Sequence, residues 1–552
     1  MKNLLNTFII IALSQSTINA QYLGWAKQFN GSAGTFWDIG AAVDTDSQGN
    51  VYNAGYFQGT VDFDPGSGVS NLTSANQTDD IYICKLTAEG NLSWAKKFGS
   101  NDEDRAMAIQ VDHEDNIYVA GYFHGNVDFD PGSGTAEISG DHDVFLLKLN
   151  SNGDFQWVKK FGDSSFALAQ AIAVNDANEI VLSMSFMGNL DADPGSGVDL
   201  IENPGTAVAL IKMDEQGEFQ WSAPIIGTGV YVTEILFDGG GRLCSTGWVT
   251  ANADMDPGAG TVSFLNPAGA SFLQVLDTDG NLVWVKQFAG VNGNAQDMIM
   301  DEAGDFYFTG SFNFLSDFDP SAADFLMSAV GSQDVFILKL NAQGNFVWAQ
   351  SMGGMQQDRA HALDLSNGQL FITGHFTSSA DLEPGENETS FTSAGLHDIF
   401  VTSIATDGTF NWTVTCGGTM DEVAYDMVTD GNGAHYITGG FQGTADLDPT
   451  SGVQNFTSGG SYDIYMIRIN ELPASIGETS IPVIRAFPNP AQEMVQFVGC
   501  GKINLLEVFD ATGNLVATET TSTLLVNELP SGVYTVLVHT NEGMITSRFT
   551  RL

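Results

Sequence analysis

Seven tryptophans, Trp25, Trp94, Trp157, Trp221, Trp284, Trp348 and Trp412, recur at intervals of 63 to 69 residues. A chain with that period is one supersecondary unit written seven times, and such units bury their apolar faces only against each other. A second marker runs in step: Asp62-Phe-Asp-Pro, Asp128-Phe-Asp-Pro, Asp191-Ala-Asp-Pro, Asp254-Met-Asp-Pro, Asp317-Phe-Asp-Pro, Asp381-Leu-Glu-Pro and Asp446-Leu-Asp-Pro, spaced 63 to 66 residues. The period therefore predicts one repeat domain over residues 21–470 rather than seven independent ones.

Inside a unit the pattern is short apolar runs cut by Gly, Asn and Asp, with no helical period. In the second unit Arg105 to Val111, the turn Asp112-His-Glu-Asp115 and Asn116 to Phe123 read as a hairpin. Asp143 to Leu149, the turn Asn150-Ser-Asn-Gly153 and Asp154 to Phe161 read as a second. The third strand is apolar on both faces, Val144 and Leu146 against Phe145, Leu147 and Leu149, which requires sheets on either side. A four-stranded antiparallel sheet buried on both faces and repeated seven times describes an all-β, seven-bladed β-propeller. Lysines at 27, 96, 97, 159, 160 and 286 fall on the fourth strand and place it at the outer rim, because lysine guards exposed sheet edges. The Ala-rich first strand (Ala41-Ala-Val43, Ala106-Met-Ala108) is expected innermost, where blades converge on small side chains. The chain opens with a fourth-type strand, 22–29, and its last repeat stops after a third-type strand, Asp463 to Ile469. Those two ends are expected to complete one blade and latch the ring.

Lys and Arg number 19 against 67 Asp and Glu, a formal charge of −48, which argues against nucleic-acid and anionic-membrane partners. Residues 1–20 carry Lys2, an apolar run through Leu13 and a small-residue ending at Ala20, the pattern of a secretory signal peptide. No later run is long enough to span a bilayer. A soluble, exported monomer is expected. Cys84, Cys244, Cys416 and Cys500 lie in different units and read as small buried hydrophobes rather than as a disulfide framework.

The segments Ala106 to Phe123 and Ala424 to Phe441 resemble a bacterial β-propeller repeat family whose pattern is an Ala-x-Ala-Val-Asp strand, a Gly-Asn turn and a Tyr-Val-x-Gly strand. Met184 and Val249, in the third and fourth units, depart from that pattern, and the resemblance implies a fold without a specific activity. After a polar linker at 471–481 the period ends, and residues 482–552 read as a small β-sandwich. Its segments Ala486-Phe-Pro-Asn-Pro-Ala491, Asp510 to Val516 and Leu529 to Val538 occur in the order that resembles the type A C-terminal sorting domain of the type IX secretion system of Bacteroidetes. Pro488, Asn489, Pro490, Gly532 and Tyr534 carry that resemblance, which implies the secretion machinery as partner and a cell-surface or extracellular address. The other reading of such a sandwich is an immunoglobulin-like or carbohydrate-binding module.

The Asp-x-Asp-Pro segments are the one repeated constellation of ionisable groups. Paired carboxylates at i and i+2 could share Ca²⁺, which makes Asp62 and Asp64, Asp128 and Asp130, Asp191 and Asp193, Asp254 and Asp256, Asp317 and Asp319, and Asp446 and Asp448 candidate ligands. The competing explanation is turn geometry, since Asp-Pro-Gly forms a tight turn on its own and a full calcium loop is absent. A second column, Asp80, Asp143, Asp334, Asp398 and Asp463, is expected to satisfy backbone donors ahead of the third strand. The eight histidines form no metal or catalytic motif; His142 and His397, in equivalent positions of distant blades, read as turn residues. No catalytic set emerges. The near-equal repeats favour a non-enzymatic binding protein for an extracellular glycan or protein. The alternative is a propeller lyase or glycosidase that gathers residues from several blades around the channel; His, Tyr, Arg and Glu converging there would favour it, and Ser, Asn and Gly the scaffold.

Overall fold

The computed structural model describes residues 21–552 except 33, 35–36, 163–165, 204, 228, 251, 265–268, 290–292, 386, 451, 472–484, 488–489, 499–502, 511–514 and 541–542. The expected signal peptide, nearly all of the expected linker, Pro488, Asn489 and Cys500 lie outside the described residues. Two compact units divide the chain, Met1–Leu472 and Pro473–Leu552.

The first unit consists of seven antiparallel four-stranded blades. Blade 1 runs outward through Ile39–Thr45, Val51–Phe57, Asp80–Leu86 and Leu92–Phe98. Blades 2 to 6 repeat it, with innermost strands Arg105–Val111, Phe166–Val174, Val230–Phe237, Asn294–Met300 and Arg359–Ser366. Blade 7 is built from both ends of the unit: Glu422–Thr429, Ala434–Phe441 and Asp463–Glu471 are completed by Gln21–Gly31, with Tyr22 opposite Asn470 and Phe29 opposite Ile464. Each innermost strand packs on the next, and that of blade 7 packs on that of blade 1, so the ring closes at seven. The third strand of blade 1 is buried along its whole length, as a sheet with neighbours on both faces must be. Cores accordingly lie between blades; one combines Phe29, Tyr436 and Ile464 of blade 7 with Val51, Phe57 and Tyr82 of blade 1. Cys84, Cys244 and Cys416 are buried free thiols.

The tryptophan period has a mechanical cause. Outermost-strand indoles reach the turn between the third and fourth strands of the next blade: Trp25 Nε1 donates to Ala88 O at 2.9 Å, Trp221 Nε1 to Thr278 O at 3.0 Å and Trp348 Nε1 to Thr406 O at 3.3 Å. The ring lies flat against that turn's glycine, so a Cβ on Gly90 would stand 2.9 Å from Trp25 and one on Gly280 3.0 Å from Trp221. Both glycines are left-handed, with φ of 76 at Gly90 and 82 at Gly280. Conformation and contact therefore both demand glycine there. Blade 7 has no such turn, because its third strand ends at Glu471 and its fourth begins at Gln21; at the other seams an indole and a glycine staple one blade to the next.

The innermost strands are small where Ala106, Ala295, Ala360 and Ala424 are buried, as expected, but not throughout. One residue later each strand has a β-bulge, at Ala41, Met107, Gln170, Thr233, Gln296, His361 and Tyr425. A bulge adds an unpaired residue to the edge strand and re-aims its side chain, which admits large groups where flat strands would not.

The second unit has two antiparallel sheets, Arg485–Phe487, Met494–Val498 and Thr523–Leu525 in one and Leu515–Glu519, Ile503–Phe509, Gly532–Thr540 and Gly543–Arg551 in the other. Val495, Phe497, Leu506, Val508, Val536 and Val538 fill the space they enclose. Gly532 opens its strand, Pro490 is exposed, and the Tyr534 ring stacks 5.3 Å from Phe549 while its hydroxyl donates to Pro530 O at 2.6 Å.

Candidate functional site

Each Asp-x-Asp-Pro segment is the tip of a small hairpin between the second and third strands, as in Thr60–Asp62 paired with Asn71–Thr73. The residue between the acids is the anchor: Phe63, Phe129, Ala192, Met255, Phe318, Leu382 and Leu447 are all fully buried. Phe63 sits against Phe29, Phe57 and Tyr82 at ring distances of 4.8 to 5.6 Å, which ties the hairpin into the junction of blades 7 and 1. Asp62 Oδ1 accepts the Asp64 and Ser70 N–H groups at 3.1 and 2.7 Å, and Asp64 Oδ1 accepts Gly66 N–H at 2.8 Å. The same first-acid pattern recurs at Asp128, Asp191, Asp254, Asp317, Asp381 and Asp446. Asp130, Asp193, Asp256, Asp319 and Asp448 each accept the N–H two residues on. Among the described residues no three His, Cys, Asp or Glu side chains gather as a metal would require. The second column also meets backbone donors: Asp80 Oδ2 accepts Ala75 N–H at 2.9 Å, Asp334 Oδ2 Val330 N–H at 2.8 Å and Asp398 Oδ2 Ala394 N–H at 2.8 Å.

Asymmetry between the blades appears at the axis. The seven bulge residues form a waist that two cavities share, of about 340 and 550 Å3. Below the waist Asp44, Glu234, Asp297, Asp364 and Asp426 line the smaller one. Four of these carboxylates stitch one innermost strand to the next by accepting backbone N–H groups: Asp44 Oδ2 from Val111 at 2.7 Å, Asp297 Oδ2 from Leu363 at 2.6 Å, Asp426 Oδ2 from Val43 at 2.8 Å, and Asp364 Oδ2 from Thr429. Desolvation pushes Asp44 and Asp297 up to about 7 and Asp364 to about 6 against those hydrogen bonds, and holds Glu234 and Asp426 well above the usual carboxylate range. They are ring fasteners first.

Above the waist the larger cavity opens on the face where innermost strands begin and second strands end. Its wall holds Tyr56, Arg105, Tyr122, His361 and Tyr425 from blades 1, 2, 6 and 7, but Leu168, Gln170, Val232, Thr233 and Gln296 from blades 3 to 5. Among the described residues no carboxylate lines it. Arg105 lies over the Tyr56 ring at 4.4 Å and is held by Asp79, with Nη2 2.5 Å from Oδ2. In the same columns Tyr231 stacks on Trp248 at 4.8 Å, and on the same face Trp37 leans on Tyr462 at 5.2 Å. Trp37, Tyr231 and Tyr425 are exposed.

Three histidines of blade 6 meet here. His361 Nε2 is 3.1 Å from His375 Nδ1, the His375 and His397 rings are 4.7 Å apart, and His397 Nδ1 stands 2.6 Å from Asp421 Oδ1. Burial, aided by Arg359, pushes His361 down to about 4, and burial holds His375 well below the usual imidazole range, so both are neutral at ordinary pH. His124 and His142 contact each other in blade 2, where His142 occupies a left-handed bulge with φ of 65. His142 and His397 do not meet, but neither is merely a turn residue. The sequence hides these clusters because cross-strand register, not spacing, assembles them. The available signal was the set of columns that differ between repeats, such as Tyr56, Tyr122, Ser185, Trp248, Ser311, His375 and Gly440 at the mouth end of the second strands. The near-uniformity of the blades does not extend to the channel mouth.

Residues 485–550 match the family described as a secretion system C-terminal sorting domain. An uncharacterized WD repeat-containing protein of Acanthamoeba polyphaga mimivirus is 23% identical over 490 residues, covering 73% of this chain and 35% of the relative. Regulatory protein FlaEY of Caulobacter vibrioides is 27% identical over 135 residues, covering 23% of this chain and 14% of the relative. The chain thus spans about a third or less of the length of these relatives. Among solved structures it is similar to a protein of unknown function from Bacteroides caccae, 9% identical with a TM-score of 0.33 over 60% of this chain and 89% of that one. It is also similar to PorZ, a surface component of the type-IX secretion system of Porphyromonas gingivalis, 11% identical with a TM-score of 0.18 over 96% of this chain and 100% of that one. The sorting domain marks the chain for type IX export to the cell surface or beyond it. No helix among the described residues is long and apolar enough to cross a membrane.

Proposed function

We propose that the propeller is a glycan-binding cargo of the type IX system and that its ligand seats on the aromatic mouth of the channel. One observation carries this reading: Tyr56, Tyr122, Tyr425 and Arg105 crowd one side of a cavity of about 550 Å3 in an otherwise repetitive ring. Aromatic rings with one wet edge suit the apolar face and polar rim of a sugar, and a concave site with a few convergent polar groups is how small ligands are held. The second reading is a lyase: Tyr56, Tyr122, Tyr425, Arg105 and His361 converge at the mouth, the convergence that favours an enzyme, and the neutral His361–His375 pair beside Tyr425 could move a proton; binding is placed first because the exposed rings offer a stacking surface for a sugar. A glycosidase of the usual two-carboxylate kind is disfavoured, because among the described residues the cavity wall has no carboxyl group. The mature protein should be screened against environmental polysaccharides and cell-surface glycans for both retention and product release. Retention without new reducing ends or unsaturated products is expected, and Tyr122→Ala with Tyr425→Ala should weaken it by on the order of tenfold each. Retention unaffected by both substitutions would move the site elsewhere.

The Asp-x-Asp-Pro tips we read as hairpin turns. Melting curves in chelator and in millimolar Ca²⁺ are expected to coincide; a rise with Ca²⁺ that Asp128→Asn with Asp130→Asn abolishes would establish calcium there instead.

A further inference from the structure

The repeat supplies its own control for one charged group. Arg105 opens the innermost strand of blade 2 and Arg359 that of blade 6, each two residues before the bulge. In both, the guanidinium reaches back to the residue that precedes the third-strand Asp of the blade before. At blade 1 that residue is Asp79, which accepts from Arg105 Nε at 2.6 Å and neutralises it. At blade 5 it is Gln333, whose Oε1 accepts from Arg359 Nε at 2.8 Å in the same geometry without any charge. Gln333 is buried and fixed, its Nε2 donating to Ser311 Oγ at 2.8 Å and its Oε1 also accepting from Gln357 Nε2 at 3.0 Å. The adjacent carboxylate of Asp358 is spent on the Thr377 and Gly354 N–H groups at 2.9 and 2.7 Å. Among the described residues no carboxylate forms an ion pair with Arg359. Burial lowers its pKa unopposed, whereas at Arg105 the field of Asp79 and nearby tyrosines overcomes the same effect of burial.

A half-buried arginine without a counter-charge is expensive in any protein, and more anomalous in one of net charge −48, where acidic partners abound. Its neighbours do not compensate: His375 is its cross-strand partner and His361 lies on the same strand, and both are neutral. We propose that Arg359 is the anion-recognition group of the mouth and that the glycan it takes is acidic, bearing a carboxylate or a sulfate that receives the guanidinium Nη donors. Planar guanidinium donors match either group bidentately. This rests on the glycan reading of the mouth and names the class of sugar.

The test uses the mature protein, an oligouronate with its carboxyl-reduced counterpart, and a sulfated oligosaccharide with its desulfated counterpart. Wild type should bind one charged member at least on the order of tenfold tighter than its neutral counterpart, the ratio falling with salt. Arg359→Gln should erase that ratio while leaving binding of the neutral sugar unchanged, and Arg359→Lys should keep part of it. The decisive variant is Gln333→Glu, which recreates the Asp79 arrangement: it should abolish the charge preference with Arg359 still in place. A thermal titration with inorganic sulfate, compared across wild type, Arg359→Gln and Gln333→Glu, reads the anion subsite without any sugar, and a larger rise in wild type is expected. Neutral and charged sugars bound equally by wild type through Tyr425 would sink the inference and leave the glycan reading standing. No sugar bound, with the sulfate response confined to wild type, would leave the anion site and sink the glycan reading. An identical sulfate response and identical sugar ratios in all three proteins would overturn the assignment of Arg359.

Discussion

A chain lacking Gln21–Gly31 is expected to lose cooperative folding of the whole propeller. That strand supplies the fourth strand of blade 7 along its full register, buries Phe29 and Ala26, and carries the Trp25 indole that staples blade 7 to the Thr87–Asn91 turn of blade 1. Removal exposes Asp463–Glu471 as an unpaired edge and leaves two blade faces open at the seam, an arrangement that invites pairing with other chains. Phe29→Ala alone should cost about 3 to 5 kcal/mol, the usual range for a large buried aromatic. Circular dichroism melts and limited proteolysis check both proteins. Re-attaching residues 21–31 after Glu471 should restore the native melt, since the strand needs its place in the sheet and not its place in the chain. A deletion variant that melts like wild type would mean the ring is held elsewhere.

Removing Arg485 to Leu552 is expected to abolish appearance at the surface and in the medium while leaving a folded propeller behind the outer membrane. The sorting domain has its own core of Val495, Phe497, Leu506, Val508, Val536 and Val538. Its loss should therefore change the address and not the fold. Cell fractionation followed by proteolysis of the retained form measures both. We further expect the surface form to end near the 471–481 segment; an intact Leu552 in the main extracellular species would make the domain a permanent part of the mature protein.

How much of this was legible depends on whether a residue is shared by the blades or particular to one. Trp25 and Gly90 recur because every blade must be fastened to the next, and the buried middle residue of each Asp-x-Asp-Pro segment recurs for the same reason, so architecture and closure could be read from the period. Arg359 and Gln333 could not be paired from the sequence, because both stand in columns that vary from blade to blade and only register sets them beside each other as it sets Arg105 beside Asp79. The three histidines of blade 6 are separated by 14 and 22 residues and meet only through strand pairing. Large side chains on the innermost strand were missed because a bulge, invisible in the hydrophobic pattern, turns Met107, His361 and Tyr425 toward the axis.

That the mouth is the working surface is tested most directly by hydrogen exchange of the mature protein with and without the glycan recovered from the screen. The account predicts added protection in the innermost strands of blades 1, 2, 6 and 7, Ile39–Thr45, Arg105–Val111, Arg359–Ser366 and Glu422–Thr429, with none at the Asp-x-Asp-Pro tips. Protection confined to the tips, or spread equally over all seven blades, would contradict it.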